Sequence, residues 1–169
     1  MKKIVCFGDS NTYGYNAETI DRFTEEERWT CLLAKHLGEG YHVVEEGLEG
    51  RTACLEDPLF EGLCGFHYLY PCLMTHKPVD LLLIMLGTND VKQRFSCTPE
   101  NVSKGMERLV QKATDSKIAF RDGVPDILLI TPPAIEPGYR DSDVYGEMGD
   151  GCVEKSRALA PLYEQVAKN

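Results

Sequence analysis

Three short segments of this 169-residue chain bring together what acyl transfer needs. "GDSNT" (8–12) offers Ser10 as a nucleophile, just past a glycine that lets a strand turn out sharply. "EGLEGRT" (46–52) offers Gly50, whose backbone N–H no side chain shields. "GTND" (87–90) offers the side-chain N–H of Asn89. With the Ser10 N–H, these donors make a candidate oxyanion hole, and one such donor is worth roughly 3 kcal/mol. Singly, each motif has an ordinary reading. A serine after Gly-Asp is a turn or a helix cap, a loop glycine is backbone geometry, and an Asn-Asp pair is a turn or an N-cap. Their succession changes the weighting, because each follows a segment that reads as a parallel strand.

The elements that must position them alternate. Residues 2–8 read as a buried strand and 41–46, "YHVVEE", as a short one. Residues 79–86, "VDLLLIML", form a nearly continuous apolar run, the mark of a strand covered on both faces. Residues 126–131, "DILLIT", read as another buried strand, ended by Pro132-Pro133. Thr24-x-x-Glu27 is a capping-box signature, followed at helical spacing by Trp29, Leu32, Leu33 and Leu37 before Gly38. Thr98 caps a further helix with Pro99 at its first position and Val102, Met106, Leu109, Val110 and Ala113 on its apolar face. A last helix over 151–168 puts Cys152, Ser156, Leu159, Ala160, Tyr163 and Val166 on one side, with a kink expected at Pro161. Residues 54–72 read as a long loop. This alternation predicts an α/β fold, a flavodoxin-like three-layer α/β/α sandwich around a central parallel sheet. Ligands of such sheets sit at the carboxyl ends of the strands, where all three segments fall.

Composition narrows the partners. Hydrophobic residues make up 43% and charged residues 27%, which suits one globular domain with a full core. A net charge of −9 disfavours nucleic acid and anionic membrane and favours small neutral molecules. The seven cysteines (6, 31, 54, 64, 72, 97 and 152) show no CxxC pair and no metal-type Cys/His spacing. They read as reduced thiols, and the expected location is cytoplasmic. No run is long enough to cross a bilayer. No carboxylates cluster in a metal-ligand arrangement, so neither a metal nor a cofactor is expected. A nucleotide binder on the same scaffold fits poorly, because "GDSNT" puts an acid where a phosphate would sit.

Taken together, "FGDSNTYG", "GLEGRT" and "MLGTND" resemble the first three sequence blocks of the SGNH (GDSL) hydrolases. The bacterial arylesterase/acyltransferase branch is the nearer likeness, through Arg28-Trp29-Thr30, "EEGL" followed by "RT", and "IMLGTND". The resemblance runs nearly the whole length. It implies Ser10 as catalytic nucleophile and Ser10, Gly50 and Asn89 as the oxyanion hole. It implies an acyl pocket shaped by Asn11, Tyr13 and Tyr15, with the loop 54–72 (Phe60, Phe66, Tyr68, Tyr70) as a further wall. It also leaves room for a homo-oligomer.

The family's fourth block is D-x-x-H, whose histidine is the general base and whose aspartate orients it. Residues 1–169 do not contain it. Glu39-x-x-His42 is the nearest imitation, but it precedes the second and third blocks and lies at the wrong end of a strand. Of the four histidines, only His67 is placed near the strand exits. The expectation is therefore a single SGNH-type domain over 1–169, C-terminally incomplete and lacking its last strand and helix. The expected function is a serine esterase for short-chain acyl or aryl esters, with acyl transfer to alcohols within its reach. The alternatives are a carbohydrate acetylesterase, or a binding protein on this scaffold without turnover.

Overall fold

The computed structural model describes residues 1–168. In chain order the elements are β1 (Lys2–Gly8), α1 (Ser10–Tyr13), β2 (Tyr15–Asn16), β3 (Asp21–Arg22), α2 (Trp29–Leu37), β4 (Tyr41–Gly47), α3 (Gly65–His76), β5 (Leu81–Met85), α4 (Pro99–Asp115), β6 (Ile127–Leu129), α5 (Tyr145–Met148) and α6 (Cys152–Lys168). Four strands form one parallel sheet in the order β4-β1-β5-β6, while β2 and β3 form a small antiparallel ribbon. Val5 of β1 pairs with Val44 on one side and Leu82 on the other, so β1 and β5 occupy the middle.

The helices divide unequally between the two faces. Val5, Phe7, Leu82 and Ile84 point into the larger core with Leu69 and Leu73 of α3, Met106 and Leu109 of α4, and Leu159 and Tyr163 of α6. Ile4, Cys6 and Leu83 point the other way, against Trp29, Leu33 and Leu37 of α2. Each apolar side chain buried this way contributes about 1.5–3 kcal/mol. The result is the expected α/β/α layering, with three helices on one face and one on the other.

Several local expectations need correction. Thr24 and Glu27 do bond, side chain to backbone and hydroxyl, but they close a turn. The helix α2 starts only at Trp29, capped by Arg28 without a side-chain bond. Residues 65–76 are a helix and not a loop; Pro71 inside it and the glycines around it hid the pattern. β6 is not buried on both faces: it is an edge strand, and Leu128 is 49% exposed. On α6 Ala160 faces solvent, and the helix runs on through Pro161. The cap at Thr98 is as expected, its hydroxyl accepting from Asn101 N–H at 3.3 Å.

Candidate active site

The carboxyl ends of β1, β4 and β5 converge. β1 ends at Gly8, where a side chain would collide with Thr12 Oγ1 and the Met85 carbonyl. Only glycine lets the chain fold back across the sheet end at once. Asp9 then caps α1, its Oδ1 accepting from Asn11 N–H at 2.9 Å, and Ser10 becomes the first residue of that single turn. Trp29 Nε1 donates to Asn11 O at 3.1 Å and ties the turn to α2.

β4 leads to Gly50, held at φ +78°, a left-handed backbone where a β-carbon would be strained and would also strike Leu63. No acceptor among the described residues takes the Ser10 or Gly50 N–H, or the Ser10 hydroxyl proton. Asn89, four residues past β5 and 5% exposed, spends one amide hydrogen on Arg51 O at 3.0 Å, which leaves the other available.

Buried polar groups lock the three exits together. Asn11 Nδ2 donates to Thr88 Oγ1 at 3.1 Å. Asp90 accepts the Ala53 N–H on both oxygens, at 2.9 and 3.1 Å. Arg51 is 3% exposed, donates to Gly8 O at 3.0 Å and to Glu46 O, and lies 4.4 Å over the Phe7 ring. Burial pushes the Asp90 carboxyl up to about 7 against the pull of the Ala53 amide, with the Asp9 charge adding to the rise. Burial likewise takes Asp9 up to about 6, opposed by its bonds to Asn11 and Thr88. Asp9 Oδ2 has no hydrogen-bond partner.

Ser10, Asn11, Tyr15, Gly50 and Asn89 line one cavity of about 340 Å³. Tyr13 does not: its ring lies under the Arg22 guanidinium at 4.4 Å, so its assignment to the substrate pocket is corrected. Nor do the aromatics of 54–72 form a wall there. Phe66 packs beneath Arg108 and Lys112, Tyr68 stacks on Phe7, and Phe60 and Tyr70 face solvent. The opposite wall is Ile135, Tyr139, Val144, Glu147 and Met148, from the irregular segment before α6. The sequence reading passed over these residues, because neither periodicity nor a motif marks them.

Lys92 was passed over as well. It lines the same cavity, is 6% exposed, and its ammonium makes no hydrogen bond or ion pair among the described residues. Burial depresses its ammonium, helped by the Arg94 charge.

No histidine lines the cavity. His67 pairs with Glu56 at 2.7 Å on the outer surface, and His76 meets Glu46 at 2.6 Å. His36 bonds the Leu32 carbonyl, and His42 lies on β4. Cys6, Cys54 and Cys72 are each pushed by burial up to about 12, and all seven cysteines are unpaired.

The GDSL-like lipase/acylhydrolase family matches residues 6–166. The aryl esterase of M. smegmatis is 37% identical with a TM-score of 0.90, over 99% of this chain and 80% of that one. Est24, a carbohydrate acetylesterase from Sinorhizobium meliloti, is 36% identical with a TM-score of 0.88, over the same shares. A lipase/acylhydrolase from Enterococcus faecalis, 22% identical with a TM-score of 0.66 over 99% of this chain and 72% of that one, shares the fold. Among curated proteins no sequence matches. No helix of the described residues is long and apolar enough to cross a membrane.

Proposed function

The chain belongs to the GDSL-like lipase/acylhydrolase family and is an ester hydrolase of SGNH type; on that premise we propose that Ser10 is its nucleophile and that short acyl esters of aryl or simple alcohols are its substrates. One observation carries the reading. The Ser10 hydroxyl, the unspent N–H groups of Ser10 and Gly50, and the Asn89 amide open on one small cavity.

Ser10 Oγ attacks the ester carbonyl and gives its proton to a base. The charge on the carbonyl oxygen is held by Ser10 N–H, Gly50 N–H and Asn89 Nδ2. Collapse expels the alcohol, which takes the proton back, and leaves acyl-Ser10. Water then repeats the steps and frees the acid. An alcohol in place of water completes an acyl transfer.

The base is assigned to a histidine outside residues 1–169, oriented by an acid. Two facts support this. No histidine borders the cavity, and the free edge of β6 with half-exposed Leu128 offers a place for a further strand.

A second reading of the substrate, an acetylated carbohydrate, is favoured by the polar groups that line the cavity with Ser10: Glu49, Glu147, Tyr139 and Lys92. Rates on aryl acetates against acetyl sugars separate the two. The mechanistic test is covalent. A phosphonate or sulfonyl fluoride that abolishes aryl acetate hydrolysis should be found on Ser10 by peptide mass mapping. A label elsewhere overturns the assignment.

A further inference from the structure

Away from that cavity, three donors of metal-binding type meet at the start of α3. Cys64 is the N-cap of the helix, His67 lies in its first turn, and Glu56 reaches back from the preceding loop. One ligand atom of each lies within 4.8 Å of the other two. All three line an open hollow of about 310 Å³, whose wall includes no lysine or arginine.

We propose that Glu56, Cys64 and His67 bind a zinc ion, with water in the fourth position. A thiolate and an imidazole select a borderline ion such as Zn²⁺ over the hard Ca²⁺ or Mg²⁺. Zinc bonds of about 2.0–2.3 Å in a tetrahedron set neighbouring donors about 3.4 Å apart. No two of the three donors are more than 4.8 Å apart. His67 Nδ1 and Glu56 Oε1, now 2.7 Å apart, must open slightly to admit the ion, and both side chains are more than half exposed and free to turn. Cys64 is the fixed member. It is 3% exposed, and Thr52 N–H bonds Leu63 O at 3.0 Å while Gly65 N–H bonds Thr52 O at 2.9 Å, which pins the backbone on both sides of it. Binding displaces the thiol proton to solvent and forms the sulfur–zinc bond; no electron is exchanged.

A second trio, Glu46, Cys72 and His76, shows a similar spread of donors. There the Arg51 guanidinium acts on Cys72 and Glu46, and Lys3 Nζ donates to His76 O at 2.6 Å. A divalent ion would enter against two fixed positive charges, so the His76–Glu46 pair accounts for that cluster. At Glu56 the ion instead staples the loop carrying exposed Leu59 and Phe60 to α3. The hollow shares no lining residue with the Ser10 cavity, so the ion holds structure and takes no part in ester chemistry.

The test is a titration of the full, reduced protein with Zn²⁺ by calorimetry and with Co²⁺ by absorbance. One equivalent should bind, with a thiolate-to-cobalt charge-transfer band. Cys64→Ser should remove the band, and His67→Ala should weaken Zn²⁺ at least about tenfold, the least that loss of even an outer-shell partner does. His67 is exposed, so its removal leaves the fold intact, which a thermal melt verifies. Cys72→Ser should change neither readout. No band in the native protein, binding that survives both substitutions, or a band that disappears in Cys72→Ser overturns the proposal. Because both readouts are independent of turnover, they stand or fall apart from the role of Ser10.

Discussion

The two sides of the Ser10 cavity are built by different means. On one side Ser10, Gly50 and Asn89 each follow directly from the end of a strand in the same sheet. The groups behind them, Asp9, Arg51 and Asp90, are buried and bonded from one exit to the next. On the other side lies the segment 131–151, mostly irregular, with a 3-10 turn over Pro137–Asp141 and the short helix α5. It is held at scattered points: Ile135 N–H on Ser156 Oγ at 2.9 Å, Tyr139 hydroxyl on Gly149 O at 2.6 Å, Arg94 on Glu147. On the proposed assignment, reaction geometry rests on rigid backbone, and substrate contact on side chains that can be exchanged at little cost. If this division holds, substitutions on the first side lower kcat, and substitutions on the second move KM.

The largest effect should come from Ser10→Ala. Loss of a nucleophile that works with a base as a unit lowers kcat by about 10⁶-fold in the measured serine protease case. Near-complete loss of aryl ester hydrolysis with an unchanged melting temperature is expected. Substantial residual turnover would break the comparison at its root. Next, Asn89→Ala should lower kcat by about 10²–10³-fold with KM nearly unchanged, because the donor acts on charge that develops only in the transition state. Asn89 also bonds Arg51 O, so Asn89→Asp, which keeps the shape and replaces donor by acceptor, should be at least as damaging.

Much of the first side is legible in the chain itself. The continuous apolar strands and the glycines at their ends are local signals, and their order alone brings Ser10, Gly50 and Asn89 into line. The second side is not legible, since Tyr139, Val144 and Glu147 belong to no periodic element and are placed by contacts with residues distant in sequence. The 54–72 segment misled for the opposite reason. Its aromatics suggested a pocket wall, yet a helix carries most of them to the core side and to solvent. Tyr13 sits next to the reactive turn, but a one-turn helix rotates it towards Arg22. The trio at Cys64 was hidden because Glu56 is brought to it by a loop and not by spacing.

The buried network behind the oxyanion side predicts a pH dependence of stability. In the unfolded chain Asp9 and Asp90 titrate near 3.8; folded, they hold protons up to about 6 and about 7. Between those values the folded state binds more protons than the unfolded one, so stability falls as pH rises through 4 to 7. Asp80, lowered to about 2 by Arg121, does not titrate in that window. The urea midpoint should therefore be higher at pH 5 than at pH 8, and Asp90→Asn should flatten the difference. A midpoint that rises with pH across this range, or a slope untouched by Asp90→Asn, would mean that the carboxyl is ionised against its amide partner.

The smallest effect belongs to the other wall. Glu147 borders the cavity and accepts from Arg94 Nη1 at 3.0 Å, but its side chain is 55% exposed. Arg94 keeps the Glu147 backbone carbonyl and the buried carboxylate of Asp57, at 2.8 Å, without it. Glu147→Gln removes one charge from a partly hydrated pair, so its cost in stability should stay below about 1 kcal/mol. What it changes is a charge lining the cavity with Ser10 and Lys92. KM for a neutral acetate should shift by less than about tenfold, an amount worth under about 1.4 kcal/mol of binding, with kcat unmoved. A fall in kcat as large as that of Asn89→Ala would show that the irregular segment takes part in positioning the reacting atoms, and the division between a rigid reaction side and an exchangeable substrate side would fail.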